Sequence, residues 1–170
     1  EAGAAVVVCR PGGPEEAAAR NSAQAAGCRV VHHDDPREAL WRLAEARWHT
    51  DALRIKVLGV TGTNGKTTST YLLERLFTDA GHKVGVLGTV SYRWPGHSEV
   101  APLTTPDPLK AHSMLAQMDA AGVDVAVMEV SSHALDQGRV AGIEFDTAVF
   151  TNLTQDHLDY HKTMENYARA

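Results

Sequence analysis

Ile55-Lys56-Val57-Leu58-Gly59-Val60-Thr61-Gly62-Thr63-Asn64-Gly65-Lys66-Thr67-Thr68 is the stretch whose reading decides the fold. Ile55 to Val60 forms a short apolar strand, Thr61 to Lys66 a Gly-containing loop, and Thr67 to Ala80 a helix. Leu72, Leu73, Leu76 and Phe77 are expected on one face of that helix, with Gly81 ending it. A strand that enters a Gly-rich loop and opens a helix is the setting in which backbone N–H groups surround phosphate oxygens. Gly62 and Gly65 permit the tight turns, and the helix N-terminus adds its positive dipole end. Lys66 supplies a point charge for terminal phosphates, and Thr67 a hydroxyl for Mg²⁺. The strict pattern has Gly where Val60 stands. Gly59 sits one residue early, so the match lies in the Gly-Lys-Thr end. The alternative is a Gly-rich turn without a ligand, which Lys followed by two Thr disfavours.

Working outward, Lys83 to Gly88 reads as the next strand. Thr89 to Pro106 carries Pro95, Gly96, Pro102 and Pro106 and reads as a long loop with room for one short strand. Leu109 to Ala121 is helical and ends at Gly122; Val123 to Met128 is a strand running into Glu129, and Phe145 to Phe150 is another. Strands alternating with helices predict an α/β fold with a doubly wound, mainly parallel sheet. Upstream, Ala4 to Cys9 reads as a strand broken by Arg10-Pro11-Gly12-Gly13. Glu15 to Ala26 reads as a helix capped by Gly27, and Arg29 to His32 as a second strand. Asp35-Pro36-Arg37-Glu38 is a helix start: Asp35 caps, Pro36 takes the first position and Glu38 reaches back. Trp41 and Trp48 follow as packing residues rather than ligand platforms. Residues 1–53 are thus expected to be the closing part of a smaller α/β domain, with a hinge over His49 to Arg54. Residues 54–170 form the second, more informative unit.

Composition bounds the function. Of 170 residues, 44% are hydrophobic and 22% charged, so a packed core is expected. The net charge of -5 argues against a general nucleic-acid binder but not against a local phosphate site. No apolar run approaches the ~18 residues of a membrane helix. No basic-then-apolar segment opens the sequence. Cys9 and Cys28 are expected as two buried thiols in a reducing compartment. The sequence starts at Glu1 and stops within a helical pattern, so a piece of a longer protein is expected.

Further candidate residues gather at strand ends. Glu129 follows a parallel strand, at the edge where open α/β sheets bind ligands, and can hold Mg²⁺; the plainer reading is a surface acid. Phe150 to His161 follows another strand and packs Asp156, His157, Asp159 and His161 together. His157 could share a metal with Glu129. His32, His33, His49, His82, His97 and His112 are scattered and receive no role. Thr104 and Thr105 offer hydroxyls to a polar substrate, although Asp107-Pro108 beside them is also a helix start. Gln137 and Arg139 suit a carboxylate or phosphate.

Gly62-Thr63-Asn64-Gly65-Lys66-Thr67-Thr68 resembles the ATP loop of the Mur ligases and of the related folylpolyglutamate and cyanophycin synthetases. Thr104-Thr105-Pro106-Asp107, Met128 to Arg139 (MEVSSHALDQGR), Phe150 to His161 (FTNLTQDHLDYH) and Met164-Glu165-Asn166-Tyr167 resemble the branch of Mur ligases that adds the third amino acid to UDP-MurNAc-L-Ala-D-Glu. The resemblance is specific from Gly59 to Tyr167 and looser from Ala4 to Trp48. It implies an ATP-dependent amide ligase of peptidoglycan precursor synthesis working through an acyl phosphate. Gly62, Thr63, Asn64, Gly65, Lys66, Thr67 and Thr68 would bind ATP, with Lys66 on the transferring phosphate. Thr67, Glu129 and His157 would hold Mg²⁺, and Lys66, Glu129 and His157 would be catalytic. Thr104, Thr105, Ser131, Gln137 and Arg139 would hold the UDP-N-acetylmuramoyl-dipeptide. The incoming amino acid is diaminopimelate or lysine, diaminopimelate being the commoner in the family. A cytoplasmic monomer is expected. The family's uridine-binding portion, its carbamylated lysine after Tyr-x-x-Ala, and its C-terminal domain are not found in these residues, so negligible ligation by this chain alone is expected. A folylpolyglutamate-type ligase, a nucleotide-binding module without ligase activity, and a phosphate-loop ATPase or kinase are the alternatives.

Overall fold

The computed structural model describes residues 6–170. They fall into two compact units that divide between Leu43 and Ala44. In the first, β1 (Val6–Cys9) and β2 (Arg29–His32) pair in parallel, joined through α1 (Pro14–Ala25). Ala4 and Ala5, the start of the expected first strand, lie outside the described residues. Cys9 and Cys28 are half-buried rather than buried, because these short strands lie at the surface of a small unit. The Cys9 Sγ stands 3.7 Å from His32 Nδ1, its register partner. The helix α2 (Pro36–Trp48) begins as expected, with Asp35 Oδ1 accepting from the Arg37 N–H at 2.9 Å. Glu38 does not reach back to complete the cap. It pairs with Arg42 one turn on, at 2.7 Å, the i,i+4 spacing that suits opposite charges. Trp41 and Trp48 are half-buried, each beneath the guanidinium of its successor or predecessor, Arg42 and Arg47.

The second unit carries a six-stranded sheet. In chain order come β3 (Lys56–Thr61), α3 (Lys66–Asp79), β4 (Val84–Leu87), β5 (Ser91–Trp94) and β6 (His97–Val100). Then follow α4 (Pro108–Ala120), β7 (Val125–Glu129), α5 (Ser132–Asp136), β8 (Thr147–Phe150), α6 (Leu158–His161) and α7 (Met164–Arg169). The spatial order is β6-β5-β4-β7-β3-β8. The four strands β4, β7, β3 and β8 are parallel, and β5 and β6 are an antiparallel extension.

Alternation along the central strands builds a core on each face. Val57, Ala126, Met128 and Leu87 point to one side and pack with Met114, Leu115 and Met118 of α4 and with Tyr92 and Trp94. Leu58, Val60, Val125, Val127, Val84 and Val86 point to the other, with Leu73 and Phe77 of α3 against them. Strands buried on both faces read as nearly continuous apolar runs, which is why β3 and β7 were visible in sequence. The stretch 89–106 departs from the expected single short strand: it holds the two strands of a hairpin turning at Pro95-Gly96, with Gly96 at φ 84°. The apolar stripe of α3 is also narrower than expected. Leu73 and Phe77 pack inward, whereas Leu72 and Leu76 are 60% and 64% exposed.

Candidate active site

Parallel register brings four chain segments to one carboxyl edge. Val60 lies beside Glu129, Thr61 beside Phe150, and Leu87 beside Met128. The next residues of each strand therefore meet: the Gly62–Lys66 loop after β3, Gly88-Thr89 after β4, Val130-Ser131 after β7 and Thr151-Asn152 after β8. That is the edge at which open α/β sheets place ligands.

The loop is braced from the β8 side. Thr63 N–H donates to Asn152 O at 2.9 Å, and Asn64 N–H to Asn152 Oδ1 at 3.2 Å. Asn152 Nδ2 donates to Asn64 O at 3.0 Å, and Thr151 Oγ1 to Asn64 O at 2.7 Å. Gly62 takes φ 126°, and a Cβ there would overlap Thr151 Oγ1. The expected Thr63 is buried and works as a tie. Its hydroxyl contacts Thr154 O at 3.1 Å and the Tyr167 hydroxyl at 2.9 Å, and accepts from Thr154 N–H at 3.0 Å. Asn64 and Thr68 are exposed. Val60, where the strict pattern has Gly, is a fully buried strand residue, so the loop starts one residue later.

Gly65 is the N-cap of α3 and no side chain caps this helix. By contrast Asp107, Ser131 and Thr163 cap α4, α5 and α7 with side-chain oxygens. The first turn of α3 thus presents backbone donors without a side-chain acceptor, the arrangement an anion would complete. Lys66 Nζ folds over the loop, donating to Gly62 O at 2.6 Å and Thr63 O at 3.0 Å. Burial pushes its ammonium below the usual lysine range, while Glu129 and Asp156 oppose that shift.

Glu129 is 1% exposed, so it is not a surface acid. It survives burial through hydrogen bonds: Thr67 Oγ1 donates to Oε2 at 3.0 Å, Thr89 Oγ1 to Oε2 at 2.9 Å, and Thr89 N–H to Oε1 at 3.1 Å. Thr70 Oγ1 lies 3.5 Å from Oε1. The expected pair, Thr67 and Glu129, is therefore in contact. Two oxygen donors beside a phosphate loop fit a hard cation such as Mg²⁺, which keeps several waters and phosphate oxygens. Among the described residues no group of three or more His, Cys, Asp and Glu is arranged to hold a metal.

His157 sits elsewhere on this edge. It has φ 51°, its ring centroid is 4.7 Å from that of His133, and its Nε2 is 3.7 Å from Asp156 Oδ2. His133 also packs on Tyr160 and His161. Burial lowers the His133 pKa, and His157 and His161 lower it further. The remaining expected residues gather around Thr105. Its buried hydroxyl donates to Glu129 O at 2.9 Å and accepts from Ser131 N–H at 3.0 Å. Ser131 Oγ caps α5, accepting from Ala134 N–H at 3.2 Å. Arg139 donates to Thr105 O at 3.2 Å and to Gln137 Oε1 through Nε at 2.9 Å and Nη2 at 2.6 Å. Thr104 Oγ1 is 3.1 Å from Thr89 Oγ1.

Residue types alone left Gly88, Thr89 and Thr70 without a role. A Cβ at Gly88 would overlap Glu129 Oε1, so the carboxylate needs a glycine there. The usable signal was their place: Gly88-Thr89 ends a parallel strand, and Thr70 lies one turn after Thr67.

Residues 60–170 match the Mur ligase middle domain. Over 169 residues the chain is 53% identical to the UDP-N-acetylmuramoyl-L-alanyl-D-glutamate–2,6-diaminopimelate ligase of Lawsonia intracellularis, covering 99% of this chain and 33% of that protein. The protein of the same description from Synechococcus elongatus is 53% identical over 149 residues, 88% of this chain and 30% of its own length. A solved structure of a ligase of that description superposes with a TM-score of 0.76 at 28% identity, covering 96% of this chain and 36% of the other. Escherichia coli FolC in complex with DHPP and ADP superposes with a TM-score of 0.55 at 26% identity, over 79% of this chain and 37% of that one. The chain spans about a third of the length of the curated relatives it matches.

Proposed function

The chain belongs to the Mur ligase family through its middle domain, and from that premise we propose that it is the ATP-binding core of a peptidoglycan-precursor ligase joining diaminopimelate to UDP-MurNAc-L-Ala-D-Glu. The observation that carries the reading is the buried Glu129 carboxylate 3.0 Å from the Thr67 hydroxyl, beside a phosphate loop closed by Lys66. The relatives' names support this choice of acceptor and amine, and a nucleotide-linked acceptor suits a cytoplasmic reaction.

In the proposed reaction an acceptor carboxylate oxygen attacks the γ-phosphorus of ATP. ADP leaves and an acyl phosphate forms. The amine then displaces inorganic phosphate from the acyl carbon. Both reacting partners of the first step are anions, so neutralising charge is the main demand on the site. Thr67 and Glu129, which are in contact, would hold Mg²⁺, which would supply that neutralisation. Gly62 to Thr68 binds the phosphates through loop and helix N–H groups. Lys66 exchanges its two carbonyl partners for phosphate oxygens, a move that four bonds of side-chain freedom permit. Thr104, Gln137 and Arg139 receive the acceptor, and Thr105 and Ser131 fix the turn that carries them.

Calorimetry of Mg-ATP with the purified chain and with Lys66→Ala tests this. Wild type binds saturably and the variant binds about 10–100-fold more weakly, as expected when a charge-assisted contact is lost. UDP-MurNAc-L-Ala-D-Glu tightens nucleotide binding, and a folate acceptor does not. A folded wild-type chain that ignores ATP would refute the reading. Binding indifferent to either acceptor would mark a nucleotide module instead.

A further inference from the structure

Glu129 can serve a cation only if its oxygens stay fixed when Thr67 turns its own oxygen to the same ion. Thr67 is therefore a poor anchor: its hydroxyl proton now points at Glu129 Oε2 across 3.0 Å, and its lone pairs are what a metal would use. Thr70 is no better placed. It lies 3.5 Å from Oε1, and its shorter bond, 2.8 Å, goes to Thr67 O. Thr89 differs from both. It gives Glu129 two donors on two oxygens, N–H to Oε1 at 3.1 Å and Oγ1–H to Oε2 at 2.9 Å. Its hydroxyl is itself oriented: Thr104 Oγ1 lies 3.1 Å from it. Thr89 has one hydroxyl proton, and the carboxylate is the stronger acceptor, so the Thr104 hydroxyl donates to the Thr89 oxygen. Gly88 immediately before it leaves the space that Oε1 occupies.

We propose that Thr89 is a positioning residue, holding the Glu129 carboxylate in place for the divalent cation of the nucleotide site. This rests on the reading of that site as a Mg-nucleotide site. Partners that orient a ligating carboxylate from behind typically change metal affinity about 10–100-fold when removed.

The test compares wild type, Thr89→Val and Thr89→Ser by the ratio of ATP affinity in saturating Mg²⁺ to that in EDTA, with a thermal melt of each. Thr89→Val keeps the shape and the N–H but lacks the hydroxyl. It lowers the ratio about 10–100-fold and leaves the affinity in EDTA at the wild-type value, while the melting temperature falls by no more than the loss of one hydrogen bond to a buried carboxylate implies, and Thr89→Ser restores the ratio. A wild-type ratio in Thr89→Val overturns the proposal. So does a fall in EDTA affinity or melting temperature that accounts for the whole effect, since Thr89 would then be merely structural. If Thr89→Val does not fold, Thr89→Ala is read by the same ratio. A wild-type chain that binds no ATP in either buffer removes the nucleotide reading itself, an outcome distinct from a failure of Thr89.

Discussion

Gly62 and Gly65 look interchangeable in sequence, yet their surroundings differ. Gly62 stands at φ 126° with Thr151 Oγ1 and the Asn152 backbone where a side chain would go. Gly65, at φ 86°, has its nearest atoms 4.0 Å from a built Cβ. Gly65→Ala therefore meets only the left-handed backbone cost, about 1–2 kcal/mol. Gly62→Ala adds a clash with the segment that braces the loop, and is expected to cost a further 1–3 kcal/mol or so. Urea unfolding of the two variants checks this; equal losses would show that the Thr151 brace yields freely. The same contrast marks what was readable residue by residue. Lys66, Thr67 and Glu129 announce their chemistry by type and by place at a strand end. Thr89 does not, because a threonine after a glycine has no distinguishing pattern until strand pairing sets it against Glu129.

Elements differ in how much of their role is local. The helix α4 starts where Asp107-Pro108 says it should, with Asp107 Oδ1 accepting from Lys110 N–H at 3.0 Å. Asp107→Ala is expected to lower stability by about 1 kcal/mol, as loss of an N-cap does. Thermal or urea melts give the value, and Asp107→Asn, which still accepts, should recover most of it. This cap stands next to Thr104 and Thr105, so helix initiation and the geometry of the sheet's carboxyl edge share a few residues. The hairpin β5–β6 was less legible, since Pro95 and Gly96 at its turn, with Pro102 and Pro106 after it, masked the alternation of Tyr92 and Trp94 inward with Ser91 and Arg93 outward. On α3, four apolar residues predicted a stripe. Only Leu73 and Phe77 meet the sheet: they lie one turn apart on one line of the helix, and Leu72 and Leu76 are turned about 100° away from it.

At the scale of the molecule, one histidine reports the integrity of the larger unit. His112 is fully buried on α4; its Nδ1 meets Thr50 Oγ1 in the 3₁₀ turn Thr50–Ala52, and its Nε2 lies 3.2 Å from Ala141 O. Burial lowers its pKa, the Ala141 carbonyl opposing. The unfolded chain therefore takes up the proton first. Stability from the neutral ring is fully present above the unfolded value, about 6.5, and is lost as pH falls through the lower folded value. The urea midpoint should fall between about pH 7.5 and 5.5, and His112→Gln should flatten that slope; an unchanged slope would clear His112 of the effect. Nothing in the sequence singled this residue out among the scattered histidines, since burial is a property of the packed whole. What the sequence determined by itself was the run of strands and helices, the phosphate loop and the acid at a strand end, because apolar periodicity, glycine spacing and strand-end position are local. What only the tertiary structure decided was which strand ends are neighbours. Parallel register sets Val60 beside Glu129 and Leu87 beside Met128, and so draws Thr67, Thr89 and Thr104 around one buried carboxylate. Contacts across such separations depend on strand order and register, which no short stretch of sequence encodes.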